Sequence, residues 1–388
     1  MKNILLITCW YPYPLKPWKS FFVKEHALAI AKQGYNVKVL HINMIEGKSL
    51  FRTEIFERQT ELDEMELRIT TRFNKKLYGL LPFYFSYIPG VKRIYKKLIL
   101  SFNPDLLHAN VVFQAGVVTR LLHNKFQIPY IITEHLTSIP VLLKNPLFKY
   151  FVIKAQKEAK AITTVSDFHR DQLLKIHELD LDAEKLVVVP NVVRPHTKSD
   201  LTIDYPANPA KYNFLMVANL TIKKHQPKRP DLVIKALAKV KEKLDKDIRL
   251  VLIGGGERVK FYEDICYKNN IELVQTGFIQ KEYVYEYYKQ TDYFLHASEI
   301  ETFSLVVAEA LLFGIPCLVS DNTALKERIE PFSGLLVENT VEAWAGGILE
   351  LIQTEWDREK IKGHYKNLYT PESVGNAFDR LYKSLNLK

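Results

Sequence analysis

The chain has 388 residues, of which 47% are hydrophobic and 25% charged. This length suits two domains of ordinary size, and the composition excludes a disordered or fibrous protein. The net charge of +10 lies in the first half, because residues 1–200 contain 29 lysines and arginines against 18 acids, whereas residues 201–388 contain 25 against 26. The first half is therefore expected to meet an anionic partner, either a membrane surface or a nucleic acid.

Short apolar runs of strand length alternate with helical patterns along nearly the whole chain. The first set of predicted strands covers residues 4–8, 36–42, 105–109, 129–133 and 161–165, and the second set covers 213–219, 248–254, 272–278, 292–297, 316–320 and 334–338. Gly34 is placed to end the first helix as its C-cap. Such alternation predicts an α/β protein with parallel sheets, covered by helices on both faces. Two sets predict two Rossmann-like domains, with ligands at the carboxyl ends of the strands.

The start of the chain and its cysteines bear on where the protein works. The apolar run near the N-terminus breaks at two prolines and lacks a small-residue cleavage site, so we interpret it as the first strand. Cys9, Cys266 and Cys317 lie far apart, without spacing typical of a disulfide or a metal site. No uncharged run is long enough to span a bilayer. A reducing, cytoplasmic location is therefore expected.

The segment 77–100 mixes aromatic and apolar residues with Lys92, Arg93, Lys96 and Lys97. An amphipathic element lying in the headgroup region of a membrane has this composition. A core helix with a solvated basic face has it as well, and both interpretations stay open. No recognised nucleic-acid-binding motif accompanies the charge, so a nucleic acid is not an expected partner.

The segment 298–321 is apolar between Glu301 and Cys317, except for Glu309 in its middle. Thr302 or Ser304 is placed to act as N-cap, so the predicted helix begins between the two glutamates. The backbone N–H groups of Thr302, Phe303 and Ser304 would then be free to bind an anion, aided by the helix dipole. An unpaired buried carboxylate is costly. We therefore interpret Glu309 as facing a ligand, against the alternative of a narrow solvent-exposed strip.

The residues of this segment resemble the signature of the retaining glycosyltransferases of family 4. Matching positions at fixed spacing are Ser298, Glu301, Phe303, Leu305, Glu309, Ala310, Gly314 and Pro316. Agreement continues at residues 252–257, 274–279, 292–298 and 333–337. The resemblance covers nearly the whole chain and is strongest from 212 to 340. It implies the GT-B architecture, in which two Rossmann-like domains face each other across a cleft.

The resemblance also implies domain boundaries. An N-terminal domain for the acceptor would cover residues 1–195, followed by a polar, proline-rich linker at 196–211. A domain for the nucleotide sugar would cover 212–365. The final segment, 366–388, would form a helix that returns to the N-terminal domain.

Roles for individual residues of the second half follow from the resemblance. Glu309 is expected to hold the ribose hydroxyls, and Glu301 to lie near the sugar ring as a catalytic residue. The amides of Thr302, Phe303 and Ser304 are expected to contact sugar and phosphate. Lys228, which opens a run matching the family's lysine motif, is expected at the diphosphate, with Lys223 and Lys224 as alternatives.

The sequence departs from the family at two places. The arginine that usually follows the first strand of the second domain is replaced by Asn219, so Arg258 is a further candidate for the diphosphate. The usual Gly-Gly pair of the first domain is absent, and Ser20 takes the place of the small residue that approaches the diphosphate.

Two histidines of the first half follow predicted strands. His135 matches the family's histidine near sugar and acceptor and is a candidate catalytic residue, whereas His108 looks structural. Glu134 is either an additional site carboxylate or the partner of a nearby lysine.

The expected function is transfer of a hexose, with retention, from a nucleoside diphosphate sugar to a glycan or lipid-linked acceptor in cell-surface polysaccharide synthesis. The alternatives are a non-catalytic nucleotide- or glycan-binding GT-B homologue and a GT-B sugar-nucleotide epimerase. The resemblance implies no cofactor and no metal ion. The charge of the first half adds an expected peripheral association with the inner face of the plasma membrane.

Overall fold

The computed structural model describes residues 2–12, 20–48, 51–71, 98, 101–194, 201–204, 206–221 and 228–386. Apart from Leu98, the basic aromatic segment 77–100 therefore contributes nothing to the description beyond its sequence, and Lys223 and Lys224 also lie outside the described residues. The chain divides into two units. Met1–Val192 and Pro371–Lys388 form the N-terminal unit, and Val193–Thr370 form the C-terminal unit.

The N-terminal unit is built on an eight-stranded sheet. Its strands are β1 (Asn3–Thr8), β2 (Asn36–Glu46), β3 (Phe51–Gln59), β4 (Asp63–Thr71), β5 (Leu106–Asn110), β6 (Tyr130–Thr133), β7 (Ala161–Thr164) and β8 (Leu186–Val188). They lie in the order β3-β4-β2-β1-β5-β6-β7-β8. The helices of this unit are α1 (Phe21–Lys32), α2 (Val117–Phe126), α3 (Ile139–Leu143), α4 (Pro146–Glu158), α5 (Asp167–Leu174) and α12 (Pro371–Ser384).

The central strands are apolar throughout because helices cover both faces of the sheet. In β1, Leu5 and Ile7 belong to one hydrophobic core, and Ile4 and Leu6 belong to the core on the other face. Parallel sheets buried on both sides have such continuous apolar strands. Gly34, with φ +86°, follows α1 and donates its N–H to the carbonyl of Ala31, as the C-cap prediction requires.

The β3–β4 hairpin corrects the expectation of a purely parallel sheet. The strand β3 pairs antiparallel with β4 at the edge, whereas β4 pairs parallel with β2. In β4 only alternate residues, Met65, Leu67 and Ile69, enter the core. This period-2 pattern of a strand that buries one face differs from the continuous apolar runs that revealed the other strands.

The C-terminal unit is built on a six-stranded parallel sheet. Its strands are β9 (Lys211–Val217), β10 (Asp247–Ile253), β11 (Glu272–Gly277), β12 (Tyr293–His296), β13 (Cys317–Ser320) and β14 (Gly334–Val337), in the order β11-β10-β9-β12-β13-β14. The helices are α6 (Pro230–Val240), α7 (Val259–Lys268), α8 (Lys281–Lys289), α9 (Leu305–Leu312), α10 (Val341–Gln353) and α11 (Arg358–Lys366). The order of strands reverses at β9, whose two neighbours are β10 and β12. Ligands bind at such switch points in open α/β sheets.

The last helix, α12, packs within the N-terminal unit. The hydroxyl of Tyr382 lies 2.7 Å from Nδ1 of His108, and Tyr35 donates a hydrogen bond to Asp379. At Gly375 an added Cβ would stand 2.6 Å from the carbonyl oxygen of Ala29, so this glycine permits the close approach of α12 to α1. Across the described part of the chain, no helix combines the length and the apolar character needed to cross a membrane.

Candidate functional site

A cavity of about 310 Å³ opens at the carboxyl ends of β9 and β10. The loop after β11 and the start of α9 complete its walls. The lining residues are Val217, Ala218, Asn219, Lys228, Ile253, Gly254, Phe278, Ile279, Val284, Glu301, Ser304, Leu305 and Val306. A larger cavity of about 640 Å³ lies at the opposite, amino-terminal ends of the strands. The smaller cavity is the candidate site, because it lies at the strand edge where such sheets bind ligands.

The floor of the candidate cavity depends on a glycine. Gly254 has φ +134°, and a Cβ added to it would stand 1.8 Å from the carbonyl oxygen of Ala218. The backbone is held in place by a hydrogen bond from Gly254 N–H to the carbonyl of Gly277. Only glycine fits both this conformation and this spacing, so the end of β10 lies flush against the end of β9.

Glu301 and Lys228 line one wall of the cavity, and the buried His296 contacts both of them. The strand β12 ends at His296, whose Nε2 lies 2.7 Å from Oε1 of Glu301. Lys228 reaches the same carboxylate oxygen through its Nζ. Backbone pairing brings the lysine there: Arg229 N–H donates to the carbonyl of Ala297, and Lys228 forms an isolated bridge with Ser298.

Burial decides the charge states of this cluster. It lowers the pKa of Lys228 to about 7, although contact with the Glu301 carboxylate favours the protonated amine. Burial, with a further contribution from Lys228, also lowers the pKa of His296 well below its ordinary value. His296 is therefore neutral near pH 7. A carboxylate oxygen only accepts hydrogen bonds. Nε2 of His296 therefore carries the ring proton and donates a hydrogen bond to Glu301.

The helix α9 begins between the two glutamates, as predicted. Ser304 occupies the N-cap position with φ 62°, but its side chain makes no capping hydrogen bond. The N–H groups of Thr302, Phe303 and Ser304 have no acceptor within the described residues, and the first turn of α9 contains no acid. These donors lie at the positive end of the helix dipole, which favours an anion beside the cavity.

The segment that follows β13 fixes the loop before α9 through hydrogen bonds. Glu301 N–H donates to Oγ1 of Thr323, 3.1 Å away, and its carbonyl accepts from Ala324 N–H. The buried Arg328 donates through Nε to the carbonyl of Phe303 at 3.2 Å and through Nη1 to the hydroxyl of Tyr369 at 2.7 Å. The backbone amides of this loop are thereby fixed in space.

Glu309 lies inside α9 and is buried. Its Oε1 is 3.1 Å from Nζ of Lys281, and the hydroxyl of Tyr288 lies 3.4 Å from its Oε2. The structure therefore gives the acid two protein partners that the sequence did not indicate. The glutamate is not among the cavity-lining residues.

The two residues considered in connection with the missing arginine lie in different surroundings. Asn219 lines the cavity, and its side-chain oxygen accepts a hydrogen bond from Thr221 N–H. Arg258 precedes α7; its guanidinium lies over the ring of Phe261, and it is not among the lining residues. No group of three or more histidines, cysteines or acids converges as a metal site anywhere in the described ranges.

In the N-terminal unit, Ser20 occupies the N-cap of α1 with φ 52°, and its hydroxyl makes no capping bond. His135 follows β6, and its Nε2 is buried without a hydrogen-bond partner among the described residues. The His135 ring stacks on His26 at 6.0 Å between centroids. Burial lowers the pKa of His135 well below its ordinary value, with additional contributions from His26, His169 and His108.

Glu134 has backbone partners rather than the lysine that one interpretation of the sequence gave it. Its carboxylate is fully buried and accepts hydrogen bonds from the backbone N–H groups of Val112, His135 and Leu136. Burial raises the pKa of Glu134 to about 7, while the three bonds oppose this change. Glu134 therefore fixes the backbone on either side of His135. His108, as predicted, is structural: its two ring nitrogens contact Tyr382 and Thr133.

Sequence reasoning missed three residues of the C-terminal site. His296 lies next to the end of the predicted strand 292–297, and this position was its only signal. Phe278 follows β11 and lines the cavity with two thirds of its side chain exposed. Arg328 gave no signal, because its partner Phe303 lies 25 residues away along the chain.

Two family models match the chain over nearly all of its length. The model described as Glycosyltransferase Family 4 matches residues 20–197, and the one described as Glycosyl transferases group 1 matches residues 201–367. The chain belongs to this family of glycosyltransferases. Its fold is the GT-B fold, with one Rossmann-like sheet in each unit.

Individual relatives agree with this assignment. An uncharacterised glycosyltransferase of Methanocaldococcus jannaschii is 28% identical over 285 residues, which are 72% of this chain and 73% of the relative. TuaC of Bacillus subtilis, whose name places it in teichuronic acid biosynthesis, is 22% identical over 92% of this chain and 90% of its own length. The structure of Anabaena HepE in complex with UDP superimposes with a TM-score of 0.71 at 15% identity, covering 99% of this chain and 100% of that one.

Proposed function

We propose that the protein is a retaining glycosyltransferase that moves a hexose from a nucleoside diphosphate sugar to a glycan or lipid-linked acceptor. The observation that carries the proposal is the pair of Glu301 and Lys228 on the cavity wall, contacted by the buried His296, beside the free amides before α9. A nucleotide sugar presents an anionic diphosphate and several hydroxyls. The amides and the lysine suit the diphosphate, and the carboxylate suits hydroxyl groups.

In the proposed reaction, negative charge develops on the leaving diphosphate while the sugar gains oxocarbenium character. Stabilisation then requires positive charge and N–H donors fixed at the diphosphate before the reaction begins. Lys228 and the amides of Thr302, Phe303 and Ser304 fill this role without a metal ion. When the diphosphate binds, Lys228 pairs with it instead of with Glu301. The Glu301 carboxylate is then free to face the sugar ring.

The proposal assigns the nucleoside to the remaining parts of the C-terminal unit. The exposed ring of Phe278 offers a flat apolar surface at the cavity for the base. Glu309 is assigned to the ribose hydroxyls, for which it exchanges its contact with Lys281. For the N-terminal unit the family resemblance assigns Ser20 to the diphosphate and His135 to the sugar and acceptor.

The acceptor is proposed to belong to the synthesis of a cell-surface polysaccharide. Support comes from the named role of TuaC and from the positive charge of the first half of the chain, which suits an acceptor at an anionic membrane. The proposed location is the cytoplasm, with peripheral association at the inner face of the plasma membrane.

A thermal-shift panel of UDP-, GDP- and ADP-sugars tests the donor proposal, because a bound ligand raises the melting temperature by mass action. Glu301→Gln keeps the shape of the side chain and removes its charge. We expect this variant to retain nucleotide binding while sugar transfer falls at least a hundredfold. If no nucleotide sugar raises the melting temperature, the proposal fails.

One observation favours a second candidate, a nucleotide-binding protein without transferase activity. Asn219 stands where the family usually has an arginine, and its side-chain oxygen is engaged by Thr221 N–H. The diphosphate therefore meets one cation fewer. Calorimetry showing tight nucleotide binding, with neither transfer nor hydrolysis of the bound sugar, would favour this candidate.

A further inference from the structure

The helices α3 and α4 present apolar side chains to solvent. Val141 is 64% exposed, Leu147 is 44% exposed and Tyr150 is 53% exposed. Leu147 and Tyr150 stand three residues apart in α4 and therefore share one face of the helix. Lys154, four residues further along, extends the same face, and its side chain is also exposed.

These side chains are held on a well-fixed helix. The side chain of Asn145 caps α4 by accepting from the N–H groups of Leu147 and Phe148. The opposite face of α4 buries Val152 and Ala155 in the core of the N-terminal unit. The outward face is thus fixed in orientation, although it adds nothing to that core.

Along this stretch of the sequence the charge has one sign. Between Glu134 and Glu158 the sequence contains four lysines and no acid. Lys157 pairs with Asp180, whereas within the described ranges no carboxylate lies within 4 Å of Lys144 or Lys154. Exposed aliphatic and tyrosine side chains among lysines are typical of surfaces that lie in the headgroup region of an anionic bilayer.

We propose that the α3–α4 surface, formed by Val141, Lys144, Leu147, Tyr150 and Lys154, docks the protein on an anionic lipid bilayer. The lysines contact the headgroups, and Val141, Leu147 and Tyr150 enter the boundary between headgroups and acyl chains. The helix α3 begins four residues after His135, at Ile139, so docking places the bilayer next to the part of the N-terminal unit assigned to the acceptor. The inference rests on the proposed lipid-linked acceptor, and it assigns the membrane contact to named residues.

A second copy of the chain is a less suitable occupant. A two-fold dimer would bring the same surface against itself, and lysines without acids would then face lysines. An anionic bilayer attracts the lysines instead of repelling them. Its apolar interior also accepts the three apolar side chains together.

Co-sedimentation of the full chain with vesicles tests the proposal. The vesicles are phosphatidylglycerol mixed with phosphatidylcholine, or phosphatidylcholine alone. One variant neutralises charge (Lys144→Gln and Lys154→Gln), and another removes apolar groups (Val141→Ser, Leu147→Ser and Tyr150→Ser). The matched control is Tyr267→Ser with Lys268→Gln in α7, since Tyr267 is 88% exposed in the C-terminal unit.

We expect binding of the unchanged protein and of the control to phosphatidylglycerol vesicles, weakening as salt rises. The charge variant should bind about twenty-five-fold more weakly, at about fivefold for each lysine. The apolar variant should lose at least tenfold. Vesicle binding is measured without sugar transfer. Melting-temperature shifts with nucleotide sugars measure donor binding in a separate experiment. Failure of the proposed function and failure of this inference are therefore distinguishable.

Three results would overturn the inference. The first is unchanged vesicle binding by both variants, which would place the contact elsewhere in the chain. The second is equal binding to neutral vesicles, or binding to none. The third is a dimer of the lipid-free protein, seen by sedimentation velocity, that the apolar variant abolishes.

Discussion

The guanidinium of Arg328 donates through Nε to the carbonyl oxygen of Phe303, 3.2 Å away, and stands 4.2 Å from the centre of the Phe303 ring. One buried side chain therefore fixes both the backbone and the ring of the residue whose N–H faces the proposed diphosphate. A peptide held in this way keeps its N–H oriented before the ligand arrives, which is the arrangement that electrostatic stabilisation of a transition state requires.

Arg328→Met should therefore weaken the donor site and the fold together. Loss of the buried hydrogen bonds should cost about 2–3 kcal/mol of unfolding free energy. With the Phe303 peptide released, we expect KM for the donor to rise at least tenfold and kcat to fall. Denaturant titration and steady-state kinetics give the two numbers.

The control for Arg328 is Tyr369→Phe, which removes only the hydroxyl that accepts from Nη1. This change should cost about 1 kcal/mol and leave KM for the donor unchanged. Arg328→Lys restores the charge without the two-pronged geometry and should recover stability better than donor affinity. Equal kinetic losses in the methionine variant and the control would contradict a positioning role for Arg328.

The sequence predicted most strands of the parallel sheets because most of them are apolar runs, but it missed β8, which has only three residues. The edge hairpin β3–β4 escaped this criterion, since half of its side chains face away from the core. In the site, the start of α9 was predictable from the polar residues before an apolar helix. Local signals of this kind come from residues that are only a few positions apart in the sequence.

Contacts between distant segments could not be predicted in the same way. Glu309 is an example: its burial was inferred, but Lys281 approaches from another helix, 28 residues earlier in the chain. The cluster of His296, Glu301 and Lys228 likewise joins segments that meet only because β9 and β12 are neighbours in the sheet. A single sequence contains no record of which strands will be adjacent.

The ion pair between Lys281 and Glu309 should respond unequally to loss of either partner. Glu309 is buried, whereas Lys281 is partly exposed. Lys281→Met leaves a buried carboxylate without its cation and should cost about 1–3 kcal/mol of unfolding free energy. Glu309→Gln removes the buried charge and keeps a group that can bond with Tyr288, so it should cost less than about 1 kcal/mol.

Function should show the reverse order, because Glu309 is proposed to hold the ribose. Glu309→Ala should abolish sugar transfer while the protein stays folded, and Lys281→Met should retain most of its donor affinity. Circular dichroism, denaturant titration and transfer assays on the same preparations supply the comparison. Full activity of the alanine variant would refute the assignment of Glu309.

Acid should destabilise the N-terminal unit through two buried histidines, although the raised pKa of the buried Glu134 opposes this effect. Burial lowers the pKa of His26 to about 4 and, together with His26, lowers that of His108 to about 3. The unfolded state binds these protons near pH 6.5, and the folded state excludes them. The full stability is therefore present above pH 6.5 and is lost as the pH falls toward 4, by up to about 1.4 kcal/mol per pH unit for each histidine.

Unfolding in denaturant at pH 7.5 and at pH 5.5, monitored in the N-terminal unit, measures this loss. Replacing the exposed His177 by glutamine should leave the pH dependence unchanged and serves as the control. Unfolding that takes up no protons between pH 5 and 6.5 would show that these histidines are not excluded from protonation in the fold.

Donor affinity should depend on pH through Lys228. Burial lowers the pKa of this amine to about 7 in the free protein, and only the protonated form attracts a diphosphate. Below pH 7 the amine is charged and binding is at its strongest. Above pH 7 the Lys228 amine must take up a proton whenever a donor molecule binds. The affinity for the donor should therefore fall by up to about tenfold per pH unit.

Lys228→Arg separates this effect from other titrations, since a guanidinium stays charged throughout the range. A nucleoside diphosphate sugar has no ionisation of its diphosphate between pH 7 and 9, so a flat affinity in the arginine variant and a sloping one in the unchanged protein assign the slope to Lys228. Calorimetry in buffers of different ionisation enthalpy should show uptake of up to one proton at pH 8 for the unchanged protein alone. Identical slopes in the two proteins would mean that Lys228 does not exchange its proton on binding, and that Glu301 keeps it charged in the free site.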